Sequence, residues 1–235
     1  MVPIPINDHI RRRVAWISTG LLISANVVVF LFELAAGRDL NRLVFLFGII
    51  PARYTMHGLA LAGPAGLVVP IFASMFLHGG WLHLIGNMLF LFVFGRSIED
   101  RYGHLQFLLL YFVSGFAAAV THILLNAGST VPTIGASGAI AGVLGAYAVC
   151  FPRARISTLI FLVFFFWRVE IPALFLLGYW FLIQFVAGYQ MLAIESATTG
   201  GVAWWAHVGG FVAGILLAII LRPIRRGPVV EMVRY

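Results

Sequence analysis

Four polar residues sit at the starts of apolar runs: His83 and Asn87 in HLIGN, Ser137 in GASGA, and His207 in AHVGG. A hydroxyl that can serve as nucleophile, an imidazole that can take its proton and an amide that can donate to an oxyanion are the parts acyl transfer requires. Their position at the rim of hydrophobic segments puts that chemistry inside a bilayer, where an ionisable group is a functional candidate by default. Each residue also has an ordinary structural role open to it. A serine in a membrane helix usually bonds its own backbone, and His83 with Asn87 would make an interhelical clasp. The conjunction of all four favours chemistry.

The elements that must position these residues follow from composition. The chain has 235 residues, 62% hydrophobic and only 10% charged, against about 25% charged in soluble domains. Apolar runs near 14–36, 82–95, 105–125, 136–151, 171–190 and 204–221 predict six membrane spans, most approaching the roughly 20 residues that cross hydrocarbon. The expectation is an all-α integral membrane bundle of six transmembrane helices, with a long outer first loop at about 37–80 and a short fourth helix. Residues 1–13 form an N-terminal cytoplasmic segment, 14–221 a single membrane domain and 222–235 a basic cytoplasmic tail. Ile156 to Trp167 is too short to span, and is read as interfacial or re-entrant between Arg153/Arg155 and Arg168/Glu170.

Charge sets the orientation. All fifteen basic residues are Arg. A cytoplasmic N-terminus with six spans puts twelve of them inside, namely Arg11, Arg12, Arg13, Arg96, Arg101, Arg153, Arg155, Arg168, Arg222, Arg225, Arg226 and Arg234. Both ends are then cytoplasmic, and spans two, four and six begin at the outer face with the four polar residues. The net charge of +7 comes from Arg flanking hydrophobic segments, which points to anionic lipid and not to nucleic acid. Cys150 is the only cysteine, and no Cys/His pattern suggests a metal or other cofactor. The apolar run after Arg11–Arg13 reads as a span, not a cleaved signal or targeting extension. The expected location is therefore a multi-pass plasma (inner) membrane of a prokaryote.

His83 and Asn87, four apart, share one helix face. The fourth span is too short to reach both surfaces, so Ser137 should lie at the floor of an outward-facing well, with unpaired helix amides beside it. Gly138/Gly142 and Gly210/Gly214 have the small-xxx-small spacing that lets helices approach backbone to backbone. Packing of spans four and six would bring His207 to Ser137.

These residues resemble the rhomboid family of intramembrane serine proteases over about 68–221. The family's HxxxN element matches His83 to Asn87, its GxSG element matches Gly135–Gly138, and its base histidine with trailing glycines matches His207, Gly210 and Gly214. The resemblance implies Ser137 as nucleophile, His207 as general base and then acid, and Asn87, His83 and the Ser137 amide as the oxyanion site. Gly95, Glu99 and Gly103 resemble a structural element of the family's inner loop. Arg96, Glu99, Asp100 and Arg101 are themselves read as a solvated, mutually paired loop. Two features depart from the pattern. The aromatic residue that in some members follows the serine by four and packs on the base is Ala141 here, leaving Trp204 or Trp205 as substitutes; a Trp-Arg pair of the first loop is missing. The implied function is an endopeptidase acting on single-span or multi-span membrane proteins. The alternative is a proteolytically inactive relative that binds membrane proteins for quality control.

Overall fold

The computed structural model describes residues 3–55, 58–162, 165–193 and 202–224. His57, residues 194–201 of the outer segment, and Arg225, Arg226 and Arg234 of the basic tail lie outside the described residues. Among the described residues, three helical stretches are long and apolar enough to cross a membrane: Ile17–Phe47, Trp81–Leu125 and Ala173–Gln190. Shorter apolar helices cover Gly63–Phe76, Ser137–Cys150 and Trp204–Ile220.

In chain order, strand β1 (Ile4–Asn7) precedes α1 (Ile17–Ala36), followed by α2 (Leu40–Phe47), α3 (Pro51–Thr55) and α4 (Gly58–Ala73). Helix α5 (Trp81–Phe90) continues through a wider turn at Leu91–Gly95 into α6 (Arg96–Leu125). Helix α7 (Ser137–Cys150), strands β2 (Arg155–Leu162) and β3 (Phe165–Pro172), α8 (Ala173–Ala193) and α9 (Trp204–Ile220) complete the described elements. Helix α6 breaks at Gly103, whose φ of 75° a glycine adopts without a Cβ penalty. The long first loop is largely helical, with its own break at Gly63 ahead of Pro64.

Helices α6, α7 and α9 form the centre of the bundle. A Cβ on Gly210 would lie 2.0 Å from the Gly138 carbonyl oxygen, one on Gly214 1.9 Å from that of Gly142, and one on Gly145 2.1 Å from that of Phe211. The Gly138–Gly210 and Gly142–Gly214 pairs run in the same order along both helices, so α7 and α9 are parallel and touch through their backbones. Helix α6 packs against the same glycines, with Gly115 meeting Ala139, Gly138 meeting Ala118 and Gly142 meeting Ser114, an antiparallel arrangement with α7. Without a hydrophobic force between helices in lipid, such close backbone contact supplies the association.

Two acids, the buried Glu99 and the half-buried Asp100, close the end opposite the start of α7. Glu99 accepts hydrogen bonds from the Ser18 and Thr19 amides at 2.6 and 2.9 Å and from the Thr19 hydroxyl at 2.6 Å. It thereby satisfies donors that the first turn of α1 leaves without helical partners. Asp100 accepts from the Arg13 and Val14 amides, both at 2.7 Å. The expectation of a solvated inner loop is therefore corrected: Glu99 is fully buried and serves as a cap. Gly95, Glu99 and Gly103 all carry structural contacts, Gly95 lying against Thr19.

An all-α description is also corrected. Strands β1, β2 and β3 form an antiparallel sheet in that spatial order, with β2–β3 paired from Arg155↔Pro172 to Leu162↔Phe165. The run Ile156 to Trp167 is thus most of a hairpin, which suits its β-branched and aromatic residues. Within the N-terminal segment Ile4 pairs with Leu159, and the buried Asp8 accepts from the Tyr147 hydroxyl at 3.2 Å, and also from Ser97 and the Arg12 guanidinium. The base of the hairpin is buried at Ile156, Ser157 and Thr158, whereas Phe161, Phe165, Phe166 and Trp167 are exposed.

Candidate active site

Helix α7 begins at Ser137 because the chain turns sharply just before it. Gly135 has φ 128°, a conformation that side chains resist, and its amide donates to the Ser74 carbonyl at 2.8 Å. The preceding loop is tied to the first loop by reciprocal Ile49–Thr133 hydrogen bonds of 2.9 and 2.8 Å. His122 completes the attachment. Its Nδ1 accepts from the Asn126 amide at 3.2 Å, so its Nε2–H donates to the Thr133 hydroxyl at 2.8 Å. At 14 residues, α7 is about 21 Å long, short of a full crossing.

The parallel packing of α7 and α9 places His207 beside Ser137, with His207 Nε2 2.8 Å from Ser137 Oγ. His207 is buried. Its other nitrogen, Nδ1, lies 2.6 Å from Oε1 of Gln184 on α8. The Trp180 ring, one turn earlier on α8, packs on the imidazole at 5.7 Å between centroids. Trp180 therefore occupies the role for which Trp204 and Trp205 were considered. Trp205 instead stacks edge-on with Phe185 at 5.9 Å.

His83 and Asn87 converge from α5 on the turn before Ser137. A Cβ on Gly135 would lie 2.7 Å from His83 Nε2 and 3.7 Å from Asn87 Nδ2, so a glycine is needed there for space as well as conformation. The Gly79 amide donates to His83 Nδ1 at 3.3 Å, which leaves the proton of a neutral ring on Nε2, facing that turn. Asn87 Nδ2 is buried with no hydrogen-bond partner. A buried amide donor without a partner is costly in a resting protein. His83 Nε2 and Asn87 Nδ2 thus lie at the turn that leads into Ser137, where the first amides of α7 have no helical partners.

All four sequence-identified residues, Ser137, His207, Asn87 and His83, are brought together. The arrangement can transfer a proton from a hydroxyl to an imidazole and can stabilise an oxygen anion. Sequence reasoning missed Gln184 and Trp180. Their four-residue spacing, which places both on one face of a largely apolar helix, was the available signal. No group of three or more His, Cys, Asp or Glu side chains among the described residues could hold a metal ion.

Residues 65–224 match the family model of the Rhomboid domain. The chain belongs to the rhomboid family. It is 32% identical over 153 residues to Rhomboid protein 1, mitochondrial, of Saccharomyces cerevisiae, covering 63% of this chain and 40% of that protein. It is 31% identical over 189 residues to the presenilin-associated rhomboid-like protein, mitochondrial, of Rattus norvegicus, covering 74% and 45%. RHOMBOID-like protein 5 of Arabidopsis thaliana is 29% identical over 154 residues, covering 64% and 43%. The matches thus span less than half the length of these relatives. Two of the three are mitochondrial by name, so they lend no support to a prokaryotic location.

Proposed function

We propose that this protein is an intramembrane serine endopeptidase that hydrolyses peptide bonds in or beside transmembrane segments of other membrane proteins. The observation that carries this reading is the 2.8 Å contact between Ser137 Oγ and His207 Nε2, held within a helix pair too tightly packed to leave it to chance. In this mechanism His207 Nε2 takes the hydroxyl proton as Ser137 Oγ bonds to the scissile carbonyl carbon. The carbonyl oxygen becomes an anion and is met by Asn87 Nδ2, His83 Nε2–H and the Ser137 amide. As the C–N bond breaks, His207 returns the proton to the leaving amine and the acyl group stays on Ser137. Water then attacks the ester, again deprotonated by His207, and releases the new carboxylate and the free serine.

An intact substrate helix hides its carbonyls in hydrogen bonds, so the cut should favour small or helix-breaking residues. In the proposed topology six spans, α1, α5, α6, α7, α8 and α9, place both termini in the cytoplasm and the site toward the outer face. The cytoplasmic Arg residues then contact anionic lipid. No nucleic acid, metal or cofactor enters this mechanism.

The test is cleavage of a single-span substrate by purified protein in lipid vesicles. Ser137→Ala and His207→Ala should each abolish cleavage, with the double variant little worse than either. Full activity in folded Ser137→Ala would overturn the proposal.

A further inference from the structure

We infer that Gln184 is a positioning residue for the proposed reaction, the third member of a Ser137–His207–Gln184 relay whose last acceptor is a neutral amide. This rests on the serine-protease reading of the site. A neutral imidazole carries one N–H and one lone pair, and only the tautomer with its proton on Nδ1 presents a lone pair to the Ser137 hydroxyl. The observed contacts select that tautomer. Gln184 Oε1 accepts from Nδ1–H at 2.6 Å, which leaves Nε2 free to accept from Ser137 at 2.8 Å. With no acceptor at Nδ1, the buried ring would leave a donor unmet in one tautomer. In the other it would face the serine with a proton it cannot exchange.

The surroundings restrict the choice to Gln184. Both Gln184 and His207 are buried, so bulk water does not substitute for the amide oxygen. Among the described residues the buried carboxylates have other partners: Glu33 accepts from the His78 amide at 3.0 Å, Glu99 caps α1, and Asp8 accepts from Tyr147. Trp180 packs on the ring at 5.7 Å between centroids. A carboxylate at this depth would carry a charge into a low-dielectric region, whereas an amide supplies the same acceptor oxygen without it. The nucleophile on α7, the base on α9 and the acceptor on α8 therefore depend on three different helices. Trp180 and Gln184, one turn apart, hold the imidazole by its face and by its edge.

Two measurements test this. The first compares wild type, Gln184→Met, which keeps the length and apolar bulk but removes the acceptor, and Gln184→Glu, which keeps an acceptor oxygen, in cleavage of a single-span substrate in vesicles. Gln184→Met should lower kcat by about 100-fold or more with KM unchanged, as loss of a tautomer-setting partner does elsewhere, and Gln184→Glu should recover at least part of it. Wild-type kcat in folded Gln184→Met, or an effect on KM alone, would overturn the assignment. The second is 15N NMR of histidine-labelled wild type, with the His207 signal identified by its loss in His207→Ala. It needs neither catalysis nor a Gln184 variant. A neutral ring protonated at Nδ1 is expected, and one protonated at Nε2 overturns the assignment. An inactive wild type with the Nδ1–H ring would count against the protease reading and leave the Gln184 contact standing.

Discussion

Gly210 lies so close to Gly138 that a single methyl group on Gly210 would sit 2.0 Å from the Gly138 carbonyl oxygen. Gly138 follows Ser137, the proposed nucleophile, and Gly210 is three residues beyond His207, the proposed base, so the distance between two backbones sets the distance between those two side chains. One turn further on, Gly214 meets the Gly142 carbonyl in the same way. Gly214→Ala is expected to push α9 off α7, costing about 1–3 kcal/mol of stability through overpacking and lowering cleavage at least tenfold. Gly178→Ala on α8, where an added Cβ meets nothing within 4 Å, should change neither. Thermal unfolding and cleavage rates on the two variants give the comparison.

Asn87 separates an oxyanion donor from a structural clasp. Its Nδ2 has no partner in the resting site, so Asn87→Ala breaks no hydrogen bond of that group and should leave the unfolding temperature nearly unchanged. The kcat should nevertheless fall by roughly 100- to 1,000-fold with little change in KM, because the donor acts in the transition state. A clasp would give the reverse, a lower unfolding temperature with kcat per folded molecule preserved. His83→Ala is expected to follow Asn87→Ala with a smaller loss.

The clustering of the four candidate residues was readable in the sequence because its determinants are local. HxxxN fixes two side chains on one helix face, and glycines four apart announce a close helix contact without naming the partner. Gln184 was not readable in this way: one of two glutamines in a largely apolar helix, it does not say which neighbour it will meet. The same limit applies to the end opposite the site. Glu99 caps donors at Ser18 and Thr19, 81 and 80 positions earlier, and a surface ion network was the simplest reading until those amides were placed beside it. The hairpin at Arg155–Pro172 was missed as strand because a short apolar run does not distinguish strand from helix by periodicity, and its partner β1 lies at the start of the chain.

Glu99 predicts a stability effect without a catalytic one. Glu99→Ala leaves the Ser18 and Thr19 amides without their acceptor, at about 1–3 kcal/mol for a buried donor, and should lower the unfolding temperature. Glu99→Gln keeps an acceptor oxygen and should be milder. In both, cleavage per folded molecule should stay near wild type, since Glu99 is packed at the start of α1.

The proposed outward opening predicts a sidedness of labelling. Ser137→Cys in a Cys150→Ala background should react with a membrane-impermeant thiol reagent supplied at the outer face of oriented vesicles. Ala136→Cys, placed where the native side chain is fully buried, should not. Reaction of the Ser137→Cys thiol only from the cytoplasmic face would reverse the proposed topology.

The central claim is that His207 makes the Ser137 hydroxyl a nucleophile. Its most direct measurement is peptide mapping by mass spectrometry after treatment of the lipid-embedded protein with a fluorophosphonate, which phosphonylates activated serines and releases fluoride. The account predicts one adduct on Ser137 in the wild type and its loss in His207→Ala. An unmodified Ser137 in folded wild type, or equal modification in wild type and His207→Ala, would contradict it.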